Sequence, residues 1–137
     1  MPNRKGSRRE RELRKLLRSR GWTIMRAPGS GGGTADDLPD IFAGDGSGRM
    51  WAIEVKSGNP DRAIYLGAEE VEALKQFAEG FHPDVWAVIA TRWDRDTDWY
   101  FSLPTGCYRT DSGSYRAKYQ TCKESWNKIA AIDESAD

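Results

Sequence analysis

The strongest constraint on the fold of this chain is a set of five short apolar segments. Each has the length of a β-strand and is bounded by glycine, proline or acidic turn residues. They lie at residues 22–27, 39–44, 50–56, 85–91 and 99–103. The turn Asp45–Gly48 separates the second segment from the third and is typical of a β-hairpin. The sequence therefore predicts a five-stranded sheet whose second and third strands pair as a hairpin.

A basic helix is predicted ahead of these strands, over about residues 7–20. Ser7 and Glu10 form a capping-box pattern, and an apolar stripe that includes Leu13 and Leu17 follows it. Glu10 shares the core-facing side of this helix with the two leucines, because the three positions are spaced i, i+3 and i+7. Two roles for Glu10 stay open: it completes the capping box, or it reaches a metal cluster in the core.

Two further helices are predicted after the third strand. Residues 68–80 carry apolar side chains at helical spacing, and Thr121 with Glu124 forms a second capping-box pattern that opens a short helix containing Trp126. Residues 133–137 are expected to fray. The order of the elements predicts an α/β fold with a mixed β-sheet flanked by helices. The chain has 137 residues, which fits one domain.

The residue inventory excludes several kinds of chemistry. Two cysteines, Cys107 and Cys122, and one histidine, His82, occur, and none of them has metal-ligand spacing. Zinc sites and catalysis by paired histidines therefore lose their basis. No apolar run approaches the roughly 18 residues of a membrane helix, and the N-terminus lacks the apolar stretch of a signal peptide. We expect a protein that acts in the cytoplasm and does not bind a membrane.

Charge is distributed unevenly although the formal net charge is zero. Residues 1–30 hold ten Lys and Arg and only two acids, whereas the rest of the chain is acidic. Such a basic segment is either a solvated helix or a surface that meets nucleic acid. Candidate DNA contacts within it are Arg4, Lys5, Arg8 and Arg9. The excess of arginine over lysine and the acidic clusters favour a salt-adapted protein of an archaeon or an archaeal virus.

Two carboxylates and one lysine converge in the predicted hairpin. Glu54 and Lys56 project from the same face of the third strand, and pairing of the second strand brings Asp40 beside them. Burying two carboxylates is costly unless a cation balances them. Mg²⁺ prefers a few carboxylate oxygens and waters and polarises phosphate oxygens. The alternative is an ion pair between Glu54 and Lys56, with Asp40 in a turn.

The spacing of Pro39-Asp40 and Glu54-Val55-Lys56 resembles the signature of the PD-(D/E)xK (restriction-endonuclease-like) nucleases. The match extends beyond that signature, because several ordered motifs resemble the archaeal Hjc-type Holliday junction resolvases. These motifs are Arg4–Leu13, Gly21–Ser30, Pro39–Ile41, Ile53–Ser57 and Ile64–Leu66. The resemblance implies a homodimeric nuclease that nicks opposed strands of a four-way DNA junction with Mg²⁺, for which Mn²⁺ could substitute.

The resemblance also implies roles for individual residues. Glu10, Asp40 and Glu54 match the metal-binding acids, Lys56 the catalytic lysine, and Ser30 an accessory active-site residue. We expect the backbone carbonyl of Val55 among the metal ligands. Arg11 and Arg26 match basic positions that contact the phosphate backbone, and they join the four basic residues named above.

Three other interpretations remain open from the sequence. The same site would serve another PD-(D/E)xK nuclease of repair or restriction type that cuts linear DNA. An inactive relative could bind DNA without cleaving it, although the full set of acids and lysine argues against this. An unrelated α/β domain with an accidental motif ranks last. Glu69 and Glu70 depart from the family pattern, in which basic residues often follow Ile64–Leu66.

Overall fold

A computed structural model of the protein describes residues 4–26 and 38–129. Within these ranges the chain forms helices, strands and one short 3-10 turn at Pro104–Gly106. The helices are α1 (Arg4–Ser19), α2 (Ala68–Glu79) and α3 (Tyr119–Ser125). The strands are β1 (Thr23–Arg26), β2 (Ile41–Gly44), β3 (Met50–Gly58), β4 (Ile64–Leu66), β5 (Val85–Trp93), β6 (Trp99–Ser102), β7 (Tyr108–Arg109), β8 (Tyr115–Ala117) and β9 (Asn127–Lys128). None of the helices described is long and apolar enough to cross a membrane.

The main sheet has six strands in the order β1-β2-β3-β5-β6-β9. β3 and β5 run parallel, from Met50 opposite Val85 to Gly58 opposite Trp93, whereas the other neighbours are antiparallel. A parallel pair needs a crossover connection, which here contains β4 and α2. This crossover brings the N-terminus of α2 to the carboxyl end of β3, the edge at which α/β sheets commonly form their sites. The predicted mixed sheet flanked by helices is confirmed.

Helices cover both faces of this sheet. α1 buries Leu13 and Leu17 against a face that includes Ile53 of β3, and α2 packs against the opposite face, which includes Ala52. Glu54 and Lys56 have the same strand parity as Ala52, so they project towards α2. This alternation decides which helix can supply further groups to the site.

Glu12 attaches α1 to the end of the sheet. Its Oε1 accepts hydrogen bonds from Arg92 Nε at 2.8 Å and Trp99 Nε1 at 3.0 Å, and its Oε2 accepts one from Arg9 Nη1 at 2.9 Å. Burial alone would raise the pKa of Glu12, but the bonds and charges of Arg92 and Arg9 lower it. The carboxylate therefore stays ionised where α1 meets β5 and β6.

A second, three-stranded sheet has the order β4-β8-β7. Its inner face packs Ile64, Leu66 and Tyr115 into the α2 side of the core. Ile64 also lies close to the end of β3, because a Cβ built on Gly58 would stand 2.8 Å from Ile64 Cγ1. Glycine at position 58 therefore permits β4 to pack against the strand that carries Glu54 and Lys56.

Two predicted helix boundaries are wrong. α1 begins at Arg4 rather than Ser7, so Ser7 lies inside the helix and does not cap it. α3 ends at Ser125, and the Thr121–Glu124 pattern lies within the helix rather than at its start. The chain then pairs with β6 as β9, because the edge of the sheet offers backbone partners. The sequence patterns also missed β4, β7 and β8, and the predicted frayed tail at 133–137 lies outside the described residues.

Candidate active site

The start of β2 brings Asp40 against the middle of β3. Pairing between β2 and β3 ends at Ile41 opposite Ile53, so the residue before β2 lies beside the next residues of β3. The Val55 N–H donates a hydrogen bond of 2.8 Å to Asp40 Oδ2. This side of Val55 therefore faces a carboxylate instead of a neighbouring strand.

Glu54 and Asp40 form a carboxyl pair that shares a hydrogen bond. Burial, followed by the negative charges of Asp40 and Glu70, raises the pKa of Glu54 to about 9. Burial also raises the pKa of Asp40, although the Val55 N–H opposes this shift. Glu54 therefore holds a proton at neutral pH in the metal-free protein, because a second buried negative charge beside Asp40 is unfavourable.

Lys56 forms an ion pair with Glu70 in the first turn of α2. Burial alone would lower the pKa of Lys56, but the bond to Glu70 and the charges of Glu70, Glu54 and Asp40 raise it. Glu70 also accepts a hydrogen bond from the Gly67 N–H at 3.3 Å, at the residue that precedes α2. One carboxylate thus connects the start of α2 with the lysine of β3.

Glu70 is the residue at this site that the sequence motifs missed. Its position three residues after the helix N-cap is that of the acid in a capping box, but the cap is Gly67, so the usual Ser/Thr pattern is absent from the sequence. The crossover topology would have drawn attention to it, because the first turn of α2 must lie near the carboxyl end of β3. Glu70, at a position where members of the family often carry a basic residue, therefore faces the site itself.

A cleft of about 430 Å³ opens beside these groups, between β3 and α2. Its polar lining comes from Glu54, Glu69 and Glu70, and Leu38 and Pro39 contribute apolar contacts. A more apolar groove of about 360 Å³ lies elsewhere on the main sheet, at Trp51 and Trp86. The cleft with the convergent carboxylates is the candidate site for a cation.

The contact described for Glu10 lies on α1 and not at this cluster. Glu10 Oε1 lies 4.0 Å from Arg14 Nε on α1, and the acids that raise the pKa of Glu54 are Asp40 and Glu70. Among residues 4–26 and 38–129, no three histidine, cysteine or acidic side chains group closely enough to hold a metal ion. Ser30 lies outside the described residues.

The donors that are present nevertheless fit Mg²⁺. Mg²⁺ is commonly bound through one or two carboxylates and keeps several waters, so a cluster of three acids is not required. Asp40 and Glu54 supply two carboxylates whose repulsion a divalent cation would relieve. The backbone carbonyl oxygen of Val55, on the side of the residue that faces Asp40, is a further candidate ligand.

The predicted DNA contacts on α1 whose side chains the structure describes fall into two groups. Arg8 and Arg11 are exposed, and Lys15 and Arg18 continue the same exposed line along the helix. Arg9 is instead turned inwards, with its side chain 13% exposed and its guanidinium paired with acidic side chains. The side chains of Arg4, Lys5 and Arg26 lie outside the part of the chain that the structure describes.

Comparison with known proteins identifies the family to which this arrangement belongs. A model of the archaeal Holliday junction resolvases (Hjc) matches residues 1–134. The chain belongs to this family. Hjc membership confirms the resemblance predicted from the ordered motifs, and with it the prediction of a junction-resolving endonuclease. Membership also implies that the protein binds junction DNA and requires a divalent metal.

Individual Hjc proteins support this assignment. The crossover junction endodeoxyribonuclease Hjc of Sulfolobus acidocaldarius is 36% identical over 121 residues, which cover 87% of this chain and 80% of that protein. The protein of the same name from Sulfurisphaera tokodaii is 40% identical over 75 residues, or 55% of this chain and 51% of that protein. The structure of Archaeoglobus fulgidus Hjc, a Holliday junction resolvase, superimposes with a TM-score of 0.79 at 31% identity and covers 93% of this chain and 99% of that chain. The PD-(D/E)xK-type fold class is therefore confirmed.

Proposed function

We propose that this protein is a Mg²⁺-dependent endonuclease that resolves four-way DNA junctions by paired hydrolysis of opposed strands. The observation that carries the proposal is the cluster of Asp40, Glu54 and Lys56 at the β2–β3 hairpin of an Hjc-family fold. Mn²⁺ is expected to replace Mg²⁺, because both suit carboxylate and water ligands. A cytoplasmic location at the nucleoid, or in the host cytoplasm for a viral protein, follows from this substrate.

The proposed metal ligands are Asp40, Glu54 and the backbone carbonyl of Val55. A bound divalent ion would polarise a phosphate oxygen and raise the acidity of a water molecule. The two carboxylates would hold the ion, and in doing so Glu54 would release its proton. Glu10 stays a predicted third acid and Ser30 a predicted accessory residue. Both assignments rest on the family pattern.

Lys56 is the proposed catalytic lysine. Its ammonium lies among the carboxyl groups of Glu70, Glu54 and Asp40, and the bond to Glu70 is the main cause that raises the pKa of Lys56 and favours the protonated form. A protonated amine at this position stabilises the negative charge that develops on the phosphate oxygens. Glu70 is a positioning residue in this scheme, because it holds the ammonium from the start of α2. Catalysis then requires that the lysine be shared between Glu70 and the phosphate.

The exposed basic line on α1 is the proposed path of the DNA backbone. Arg8 and Arg11 begin this line, and Arg4, Lys5 and Arg26 are the further predicted contacts. Contacts of this kind position the duplex without reading its sequence. The acidic lining at Glu69 and Glu70 repels phosphates, so the backbone is expected to approach from the α1 side of the site.

A homodimer is proposed to align two such sites on one junction. The apolar groove at Trp51 and Phe101 is the proposed contact surface, since Trp86 on its rim is 55% exposed and Leu103 is also exposed. Large exposed apolar patches of this kind mark protein interfaces. Two copies joined through this face would expose two active sites together. We expect Trp86→Lys to yield a monomer in analytical ultracentrifugation and to uncouple the paired nicks.

The decisive experiment compares the wild type with Asp40→Asn on two labelled substrates. One is an immobile four-way junction and the other is the matching linear duplex, each with Mg²⁺, Mn²⁺ or EDTA. Paired nicks on the junction alone, lost in the variant and in EDTA, are expected. Equal cutting of both substrates would indicate a general nuclease, and junction binding without cleavage would indicate an inactive DNA-binding relative.

A further inference from the structure

The outer face of the second sheet carries an aromatic and basic row that the nuclease site does not use. In the register of this sheet, Arg116 of β8 stands opposite Tyr65 of β4 on one side and Tyr108 of β7 on the other. Side chains of directly opposed residues share one face of a sheet. Tyr65 is 63% exposed and Tyr108 is 51% exposed, so this face is open to solvent.

Cations lie over both tyrosine rings of this row. The Arg116 guanidinium is 5.5 Å from the centre of the Tyr65 ring, and Lys118 Nζ is 5.5 Å from the centre of the Tyr108 ring. Neither cation forms an ion pair with any acid that the structure describes. Arg116 Nε is in addition buried and has no hydrogen-bond partner among those residues. The row therefore presents two positive charges that nothing described neutralises.

We propose that this row, Tyr65, Arg116, Tyr108 and Lys118, is a second nucleic-acid surface that binds unpaired nucleotides. Exposed tyrosine rings offer stacking platforms for bases that have left a duplex. The adjacent guanidinium and ammonium groups match the charge of the connecting phosphates. The base faces of a duplex are stacked on one another, so a duplex would contact only the charged groups of the row. The row therefore favours single-stranded DNA over a paired arm.

The row lies close to the nuclease site along the chain and in the packing. Tyr65 is two residues before Gly67, whose N–H reaches Glu70, the ion-pair partner of Lys56. Ile64 beside it packs against the end of β3 at Gly58. Nucleotides unpaired at a branch point held in the active site could therefore extend onto the row. This surface is separate from the metal-binding cluster, and it contributes binding rather than cleavage.

A binding experiment in EDTA tests the row independently of cleavage. The probe is a short fluorescein-labelled oligothymidylate, whose dissociation constant is measured by fluorescence anisotropy, with the matching duplex as a second probe. Loss of one stacking ring in Tyr65→Ala or Tyr108→Ala is expected to raise the dissociation constant for the oligothymidylate roughly tenfold, while Tyr65→Phe retains affinity. Lys75→Ala, which removes an exposed charge on α2, serves as the control for charge alone.

Photocross-linking gives a second measurement that does not depend on variants. An oligothymidylate carrying 5-iodouracil is expected to cross-link to Tyr65 or Tyr108, as located by mass spectrometry. Unchanged affinity in both alanine variants, an equal loss of affinity for single strand and duplex, or cross-links confined to α1 would each overturn the proposal. Because the binding assay contains no metal, failure of junction cleavage would leave its outcome unaffected.

Discussion

Replacing Glu54 with glutamine is expected to stabilise the metal-free protein while abolishing its response to metal. Burial and the charges of Asp40 and Glu70 raise the pKa of Glu54 from 4.5 to about 9. Between these values the folded protein retains a proton that the unfolded chain releases, so stability falls as the pH rises. By pH 7 this proton lowers the free energy of unfolding by at most about 3.5 kcal/mol, since about 2.5 pKa units have been crossed and each is worth about 1.4 kcal/mol.

Glutamine is neutral in both states, and its amide can still donate a hydrogen bond to Asp40. The free energy of unfolding at pH 7 should therefore rise by about 1–3 kcal/mol, and the melting temperature by roughly 3–10 °C. The assay is urea denaturation and thermal melting in EDTA from about pH 5 to pH 9, the range in which the wild type should lose stability. Added Mg²⁺ should then stabilise the wild type and leave Glu54→Gln unchanged.

Glu72→Gln provides the matched control for this prediction. Glu72 is an exposed carboxylate of α2 that pairs with Lys75 at 3.3 Å, so its loss should change stability by less than about 0.5 kcal/mol. A Glu54→Gln variant that is no more stable than the wild type near pH 8, and that shows the same pH dependence, would refute a buried and protonated carboxyl at position 54. That result would mean that the carboxyl at position 54 is ionised and well solvated in the fold.

Three further perturbations follow from contacts of the described residues. Glu70→Ala should lower kcat for junction cleavage by at least about tenfold without raising KM, because it frees the catalytic lysine from its positioning partner. Glu72→Ala, which removes an exposed carboxylate of α2 outside the cleft, should leave both constants unchanged. Glu12→Ala should lower the free energy of unfolding by about 2–4 kcal/mol, measured by urea denaturation, because it leaves the half-buried Arg92 without its carboxylate. Unchanged stability would show that α1 is held by its leucines alone. Arg11→Ala should reduce the slope of log affinity against log salt concentration by about 0.9 in junction-binding titrations, because one phosphate contact is lost. An unchanged slope would show that Arg11 does not contact the DNA backbone.

The capping patterns show where local sequence signals were insufficient. Ser7 with Glu10 fits a capping box, yet α1 extends three residues further towards the N-terminus. A serine and a glutamate at this spacing also fit inside a helix, since local pattern alone does not specify where a helix begins. The Thr121–Glu124 pattern was misleading in the same way. There, the free edge of β6 offered Asn127 and Lys128 a strand partner that no local signal contains.

Glu70 and Arg9 show the corresponding limit for the candidate site. Both were visible in the sequence as members of charged runs, and their local spacing is unremarkable. Glu70 becomes part of the site only because the crossover brings the first turn of α2 to Lys56. Arg9 turns inwards because Glu12 and Asp94 offer it carboxylates on the protein side of α1. Ion-pair partners distant in the chain can be recognised only after the helices are packed.

The sequence alone predicts the strands of the β2–β3 hairpin, the helices α1 and α2, and the trio Asp40, Glu54 and Lys56. These follow from side-chain alternation and helical periodicity, which are properties of neighbouring residues. Strand pairing and helix packing were needed to bury Glu54 beside Asp40, to bring Glu70 to the lysine, and to align the row Tyr65, Arg116 and Tyr108. Those relations join residues far apart in the chain, and they arise when strands pair and helices pack, because register and burial then set the distances between charges.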